Sequence, residues 1–597
     1  GAAGANGGGG NGGFGGGGGG NAQGAAGGNG GFGGGGGGGY FSPGGTGQFS
    51  AGGFGGGAGA GQGVGGFGGG QGSMAGVSAL DFGFFSSAGS GGLGGGGAVF
   101  VRQGASVNLV NTTFTGGSVA GGNGYFTGQG IGVGVFLAGS TTYTVNGTQT
   151  DTISTADFFG GGTDSQISGG LIKAGTGTLV LAANQSYTGG TVLREGVLSF
   201  SDNLQLGLFT QGITFEGGTL RYTGAADLQT DRPISINGSG TFDLAAGVGA
   251  QLSAPISGSG TFTKLGTGVL ILNANSSFSG NFVVSGGTLV ASGGMSGSLT
   301  VNNGATANVG AMSSTSDVTV FGTVNFLAAT TIRNLNLNAG SSVAAGSTNP
   351  LTIAGSVTTD AAANTLAGFF RLQGTVGFDV PTGGTLTSFA SVTDAAGQSG
   401  GLNKTGGGTL LISAPLAYTG GTTVSGGILR AGQAGVLPSN TPYRVEGGTL
   451  DLNGFDLTMS ELTVSSTGGT VALGSAVLTV DTNAFSSFQG TITGTGSVVK
   501  NGAGTFSLFR ANTYTGDTTV NAGRMAVLSQ DGTPVLAANF QVTVNGGSFE
   551  VFNRNSLPTG ANAGDVTVNA GGVFTTRAGG PFVFRADCGT SPSTTAR

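Results

Sequence analysis

The chain has 597 residues, too many for one compact globular unit, and only 7% of them are charged, against roughly 25% in ordinary soluble proteins. A net charge of −6 with no basic run excludes nucleic acid as a partner, because phosphate binding needs clustered Lys and Arg. The absence of histidine and a single cysteine, Cys588, exclude Ser-His-Asp triads, Cys-His pairs, thiolate zinc sites and an internal disulfide framework.

Residues 1–75 are a Gly-rich low-complexity segment of GG-F, GG-N and poly-Gly blocks. Such a segment has almost no side chains to bury, and each ordered glycine costs extra backbone entropy. The reading is a flexible tether or an overlong loop. Its rival is a set of packed glycine strands anchored by Phe14, Phe32, Phe54 and Phe67. GxGxxG-like strings abound here and carry no information about dinucleotides.

From residue 76 the texture changes to short apolar runs bounded by Gly, Asn, Ser and Thr. In "GGAVFVRQGASVNLVNTTFTGG", Val99 alternates with Val101 and Val107 with Leu109. Runs of three to five residues rich in Val, Phe and Thr read as strands. No long i, i+3, i+4, i+7 pattern points to a helix. Residues 76–167 are therefore read as N-terminal β-helix coils. The segments Ser140 to Gly161 and Ala361 to Gly383 look too irregular for simple coils and are expected to be long loops, the first places to look for binding.

Residues 168–580 hold an internal repeat, aligned on the only four lysines: Lys173, Lys264, Lys404 and Lys500. The copies run over 169–198, 260–289, 400–429 and 496–525. Four residues before and after each lysine stands a glycine. Fourteen after comes an aromatic: Tyr187, Phe278, Tyr418 or Tyr514. Glycines return at plus sixteen and plus twenty-three. A phrase such as "ITFEGGTLRY" or "YRVEGGTLDL" also recurs outside these copies. Strand, tight glycine corner, strand is the edge of a β-helical coil, with glycine expected to supply positive φ at the corner. The fold class is thus all-β: a right-handed parallel β-helix, or β-solenoid, preceded by the Gly-rich segment. Inward faces take Leu, Val, Ile and Phe. Outward faces take Thr, Ser and Asn, which hydrogen-bond between rungs without repelling one another.

Within each copy the aromatic is expected to plug a loop over the core. The lysine has two readings: a cationic ligand site, or a long stem over apolar surface with its ammonium in water or on turn carbonyls. The copies lie several rungs apart, which disfavours a basic cluster and favours the structural role. No catalytic, cofactor or metal residue is assigned. The serious enzymatic alternative is a polysaccharide lyase or hydrolase using carboxylates alone; Asp202 with Asp227, and Asp456 with Asp481, have the right rung spacing. A third possibility is a matrix protein assembled through residues 1–72.

The pattern G-x-L-x-K-x-G-x-G-x-L-x-L, then Tyr-x-Gly, then a strand ending in Gly resembles the autotransporter-associated β-strand repeat, or passenger-associated transport repeat. The resemblance implies a non-catalytic passenger of a type V secretion system in a Gram-negative bacterium, displayed on the cell surface or outer membrane, or secreted, as a stalk or adhesin. It implies an outer-membrane β-barrel translocator as partner, with a host or neighbouring-cell surface or polysaccharide as further candidates. A monomer is expected. Amphipathic barrel strands of about ten residues are not found before Arg597. The composition of the tail 581–597 breaks from what precedes it. Together with the missing leader-like start, this leads us to expect a fragment at both ends.

Overall fold

A computed structural model describes residues 94–95, 99–101, 105–111, 130–131, 134–161 and 169–577, apart from 465–467, 554 and 560–561. The Gly-rich segment with its four phenylalanines, and the tail with Cys588, lie outside the described residues. The chain divides into two compact units, Gly1–Gly293 and Gly294–Arg597.

Each unit is a stack of coils built from short parallel strands, a β-solenoid. In the first unit one sheet of seven strands runs from Ser106–Val110 through Ser140–Thr144, Leu171–Ala174, Thr191–Leu193, Ile213–Phe215 and Ile234–Ile236 to Ile256–Gly258. A strand pairs with its counterpart one coil later. Leu179 stands opposite Leu198, Leu198 opposite Leu220, and Leu220 opposite Phe242. These four side chains are at most 1% exposed. The second unit repeats the plan. A sheet of seven strands there begins at Ala363–Leu366 and ends at Thr491–Thr493, and two further sheets end at Asp565–Val568 and Val573–Thr576.

Alternation explains the core. Strands such as Thr178–Leu181, Val269–Leu272 and Thr409–Ile412 bury every second residue, as the period of two demands. The inward pairs Leu179 with Leu181, Leu270 with Leu272, Leu410 with Ile412 and Phe506 with Leu508 are all within 4% of full burial. Outward residues bond between rungs. Asn521 donates to Asn501 at 3.0 Å, Asn545 to Asn521 at 2.8 Å, and Asn569 to Asn545 at 2.7 Å. The few charges pair across coils: Arg194 with Glu216 at 2.8 Å, Arg221 with Asp243 at 2.9 Å, and Arg430 with Asp451 at 2.7 Å. Opposite charges on neighbouring rungs support the stack where like charges would oppose it.

Two sequence expectations need correction. Ser140 to Gly161 is no long loop: strands Ser140–Thr144, Thr150–Ile153 and Phe159–Gly161 make an ordinary coil. Ala361 to Gly383 likewise holds strands Ala363–Leu366, Phe369–Leu372 and Thr375–Asp379. Polar residues at inward positions, Thr141 and Asn364, hid the alternation there. Gly-Gly corners such as those at Gly287 and Gly427 turn on positive φ as expected, but others do not. Neither Gly217 nor Gly218, in "FEGGTL", is left-handed. A Cβ on Gly217 would meet the Arg194 carbonyl oxygen at 1.8 Å, so glycine is needed there for close approach of successive coils.

Candidate functional site

The lysines stand in core columns. Lys173 lies in register between Tyr143 on the preceding coil and Leu193 on the following one. Lys264 lies between Phe242 and Val284, Lys404 between Phe378 and Val424, and Lys500 between Val480 and Val520. All four lysines are 0% exposed. A strand residue at an inward position must point inward, so the sequence places an ammonium among apolar side chains.

The ammonium is met by three carbonyls in every copy. Lys173 Nζ donates to Ala174 at 2.7 Å, to Gly175 at 2.7 Å and to Glu195 at 3.2 Å. Lys264 donates to Leu265 at 3.1 Å, Gly266 at 2.7 Å and Gly286 at 3.0 Å. Lys404 donates to Thr405, to Gly406 at 3.0 Å and to Gly426 at 3.4 Å. Lys500 donates to Asn501, to Gly502 at 2.8 Å and to Ala522 at 3.3 Å. Two acceptors belong to the lysine's own corner and one to the same corner of the next coil. Both corners turn on a left-handed glycine: φ is 71° at Gly175 and 62° at Gly196, 74° at Gly266 and 63° at Gly287. Glycine adopts that conformation at little cost, whereas a residue with a Cβ is strained in it. Each ammonium serves its own pair of coils.

Burial pushes the ammonium pKa down to about 8 at Lys173, Lys264 and Lys404, and lowers it at Lys500. A nearby carboxylate partly offsets this: Glu195 and Asp151 for Lys173, Asp243 for Lys264, Asp379 for Lys404 and Asp481 for Lys500. Removing a cation from water disfavours its charged form, and a neighbouring anion favours it.

The aromatic position closes the same two coils. Tyr187, Phe278, Tyr418 and Tyr514 are each at most 4% exposed. The hydroxyls of Tyr418 and Tyr514 each lie 2.7 Å from a buried threonine hydroxyl, Thr422 and Thr518. Gly169 and Gly189, and their counterparts in the other copies, stack backbone on backbone. A Cβ on Gly420 would sit 2.5 Å from the Gly400 oxygen.

The sequence reading missed a further element. In the three tyrosine copies, the segments 201–212, 432–441 and 528–540 follow strands Val197–Phe200, Ile428–Ala431 and Arg524–Val527 and fold back. Gln185 N–H donates to Leu204 at 3.0 Å, Leu416 to Val436 at 2.9 Å, and Asn512 to Val535 at 2.9 Å. Each donor lies two residues before the tyrosine. Val436 with Leu437, and Val535 with Leu536, are buried beneath these loops. An apolar pair inside an otherwise polar loop was the available signal. The first loop is clamped by Arg232, 1% exposed. Its guanidinium donates to Asn203 Oδ1 at 2.8 Å and to the carbonyls of Leu208 at 2.7 Å, Gln211 at 3.1 Å, Asn203 at 2.9 Å and Gly207 at 2.7 Å.

Three of the four paired acids hold corners. Asp202 accepts from Leu204 N–H at 2.8 Å, Asp227 from Gly249 N–H at 2.6 Å, and Asp456 from Val477 N–H at 2.7 Å. Among the described residues no group of three or more acids, cysteines or histidines is placed to hold a metal ion.

The passenger-associated transport repeat family model matches residues 171–200, 262–291, 402–431 and 498–527. The chain is also 35% identical over 166 residues to the adhesin BmaC autotransporter of Brucella suis biovar 1, a match covering 27% of this chain and 5% of that protein. The chain thus spans a small part of its relative's length. It carries four passenger-associated transport repeats on a parallel β-solenoid.

Proposed function

We propose that this chain is part of the passenger of an autotransporter, a cell-surface or secreted protein of a Gram-negative bacterium, acting as a non-catalytic stalk or adhesin. The observation that carries this reading is the fourfold recurrence of one repeat, each copy with its buried lysine bonded to the corners of two successive coils. The adhesin relative and the parallel coils support it. In this reading the lysines are architectural: each ties one coil to the next at the point where the backbone reverses. The tyrosine or phenylalanine seals the connection above it. The partner is an outer-membrane β-barrel translocator, and the passenger works as a monomer.

Buried hydrogen-bonded corners suit a chain that must fold one coil at a time. Each new coil supplies the third acceptor for a lysine already in place, so folding advances by nearest-neighbour steps. The test is surface display. The chain is fused between a signal peptide and a barrel translocator in a Gram-negative host, and intact cells are treated with protease. The reading expects antibody-accessible passenger with a protease-resistant core. Retention in the periplasm while the barrel inserts normally would contradict it.

A further inference from the structure

The second unit carries an open groove of about 540 Å³, lined among others by Ser314, Thr331, Thr352, Arg371, Gln373 and Gln398. It crosses successive coils. Thr331 stands opposite Thr352, Thr352 opposite Arg371, and Arg371 opposite Thr393. Arg371 is thus a cation set in an outward column of threonines, which extends about 14 Å from Thr331 to Thr393 at ~4.8 Å per rung.

Most of the other described arginines are committed; Arg510, whose Nε is buried without a hydrogen-bond partner, lies outside the groove. Arg194, Arg221, Arg333, Arg430, Arg444, Arg524 and Arg577 each pair with a carboxylate. Arg232 spends its donors on loop carbonyls and Asn203. Arg371 has no carboxylate within ion-pair distance among the described residues, and no acid lines the groove. Asp394, on the following coil, is engaged by its own loop and by Thr419. It accepts from Gly400 N–H at 2.7 Å and from the Thr419 N–H at 3.1 Å and hydroxyl at 2.8 Å. Two residues before Arg371, on the same face of the strand, Phe369 leaves its ring 44% exposed.

We propose that this groove binds an extended acidic glycan, with Arg371 pairing a carboxylate or sulfate group, the threonine and glutamine side chains meeting sugar hydroxyls, and Phe369 stacking on a ring. Guanidinium is the side chain best matched to such planar or tetrahedral anions. Hydroxyl and amide linings suit a polyhydroxylated chain, and a groove across rungs suits a linear one. With no carboxylate in the lining, the groove holds the polymer without cleaving it. The proposal deepens the adhesin reading and rests on it only for its setting, since binding is measured on the purified full chain and failure would leave surface display untouched.

Calorimetric titrations use uronate oligosaccharides from alginate, sulfated oligosaccharides from heparin, neutral dextran and polyglutamate. Binding to at least one acidic glycan, with none to dextran or polyglutamate, is expected; the two acidic arms separate carboxylate from sulfate recognition. Arg371→Gln is expected to weaken binding by on the order of tenfold or more, the effect of losing a charge-assisted hydrogen bond. Thr352→Glu, which sets a like charge beside the ligand, is expected to abolish it. Arg444→Gln, outside the groove, is expected to leave it unchanged. Thermal unfolding checks that each variant is folded. The proposal is overturned by absence of binding to both acidic glycans, by equal binding of dextran or polyglutamate, or by wild-type affinity in folded Arg371→Gln or Thr352→Glu.

Discussion

The hydroxyl of Tyr187 lies 2.6 Å from that of Thr191, and both side chains are buried. The same pair recurs at Tyr418 with Thr422 and at Tyr514 with Thr518. In the copy where the ring is Phe278, the threonine position is taken by Phe282. The two positions change together: either both bring a hydroxyl into the core or neither does. A buried hydroxyl needs a partner, whereas replacing both by apolar groups is nearly neutral.

Tyr514→Phe therefore leaves the Thr518 hydroxyl unmet and is expected to destabilise the local coils by about 1–2 kcal/mol. The double variant Tyr514→Phe/Thr518→Val is expected to recover most of that loss. Amide hydrogen exchange in Ser497–Asn501 and Thr518–Val520 reads it. If single and double variants exchange alike, the hydroxyl pair contributes nothing.

Lys264→Ala removes the donor shared by Leu265, Gly266 and Gly286. With a cost of about 1–3 kcal/mol for each buried group left unsatisfied, we expect a marked drop in the urea midpoint. Lys264→Met keeps the packing of the stem and loses only the donors, so its drop is expected to be smaller. Equal stability of all three proteins would remove the lysine from any part in holding the coils.

The alkaline pH profile has a sign fixed by burial. Lys173, Lys264 and Lys404 have folded pKa values of about 8, below the unfolded value of 10.5. Between these limits the unfolded chain binds more protons than the folded one, so stability rises with pH. Burial raises Tyr187 and Tyr514 to about 12 from 10.0. Above pH 10 the unfolded chain therefore loses protons first and stability falls again. Urea midpoints at pH 7, 9, 10 and 11.5 are expected to peak near pH 10. A monotonic decline from pH 7 contradicts the burial of the lysines.

Gly420→Ala sets a Cβ 2.5 Å from the Gly400 oxygen, whereas a Cβ at Gly304 meets nothing within 4 Å although φ is 75°. The first substitution is expected to force adjacent coils apart and lower Tm sharply. The second carries only the strain of left-handed backbone, about 1 kcal/mol. Comparable Tm values for the two variants would refute the role of close backbone stacking.

The coil architecture was legible because each copy repeats its apolar positions at fixed spacing, so Leu179 and Leu410 declare the same inward face. Lys173 was legible as a repeat position. Its three carbonyl acceptors were not, because two of them lie at a corner whose geometry depends on left-handed Gly175, and the third on the next coil. Gly217 misled for a related reason: a glycine kept for close approach and one kept for positive φ look alike in sequence. The loops over Tyr418 and Tyr514 went unseen because their buried pairs, such as Val436 with Leu437, are too short to show a period. Arg371 became meaningful only once register set it beside Thr352 and Thr393.

The chain's four lysines allow a direct measurement of the central claim. The native protein is treated with an acylating reagent at pH 8.5 and each lysine peptide is quantified by mass spectrometry, with a sample in urea as reference. We expect Lys173, Lys264, Lys404 and Lys500 to remain unmodified in the native protein and to react fully once unfolded. Modification of native lysines at the rate of a free amine would mean that the ammoniums lie in solvent, off the corner carbonyls, and would contradict the account.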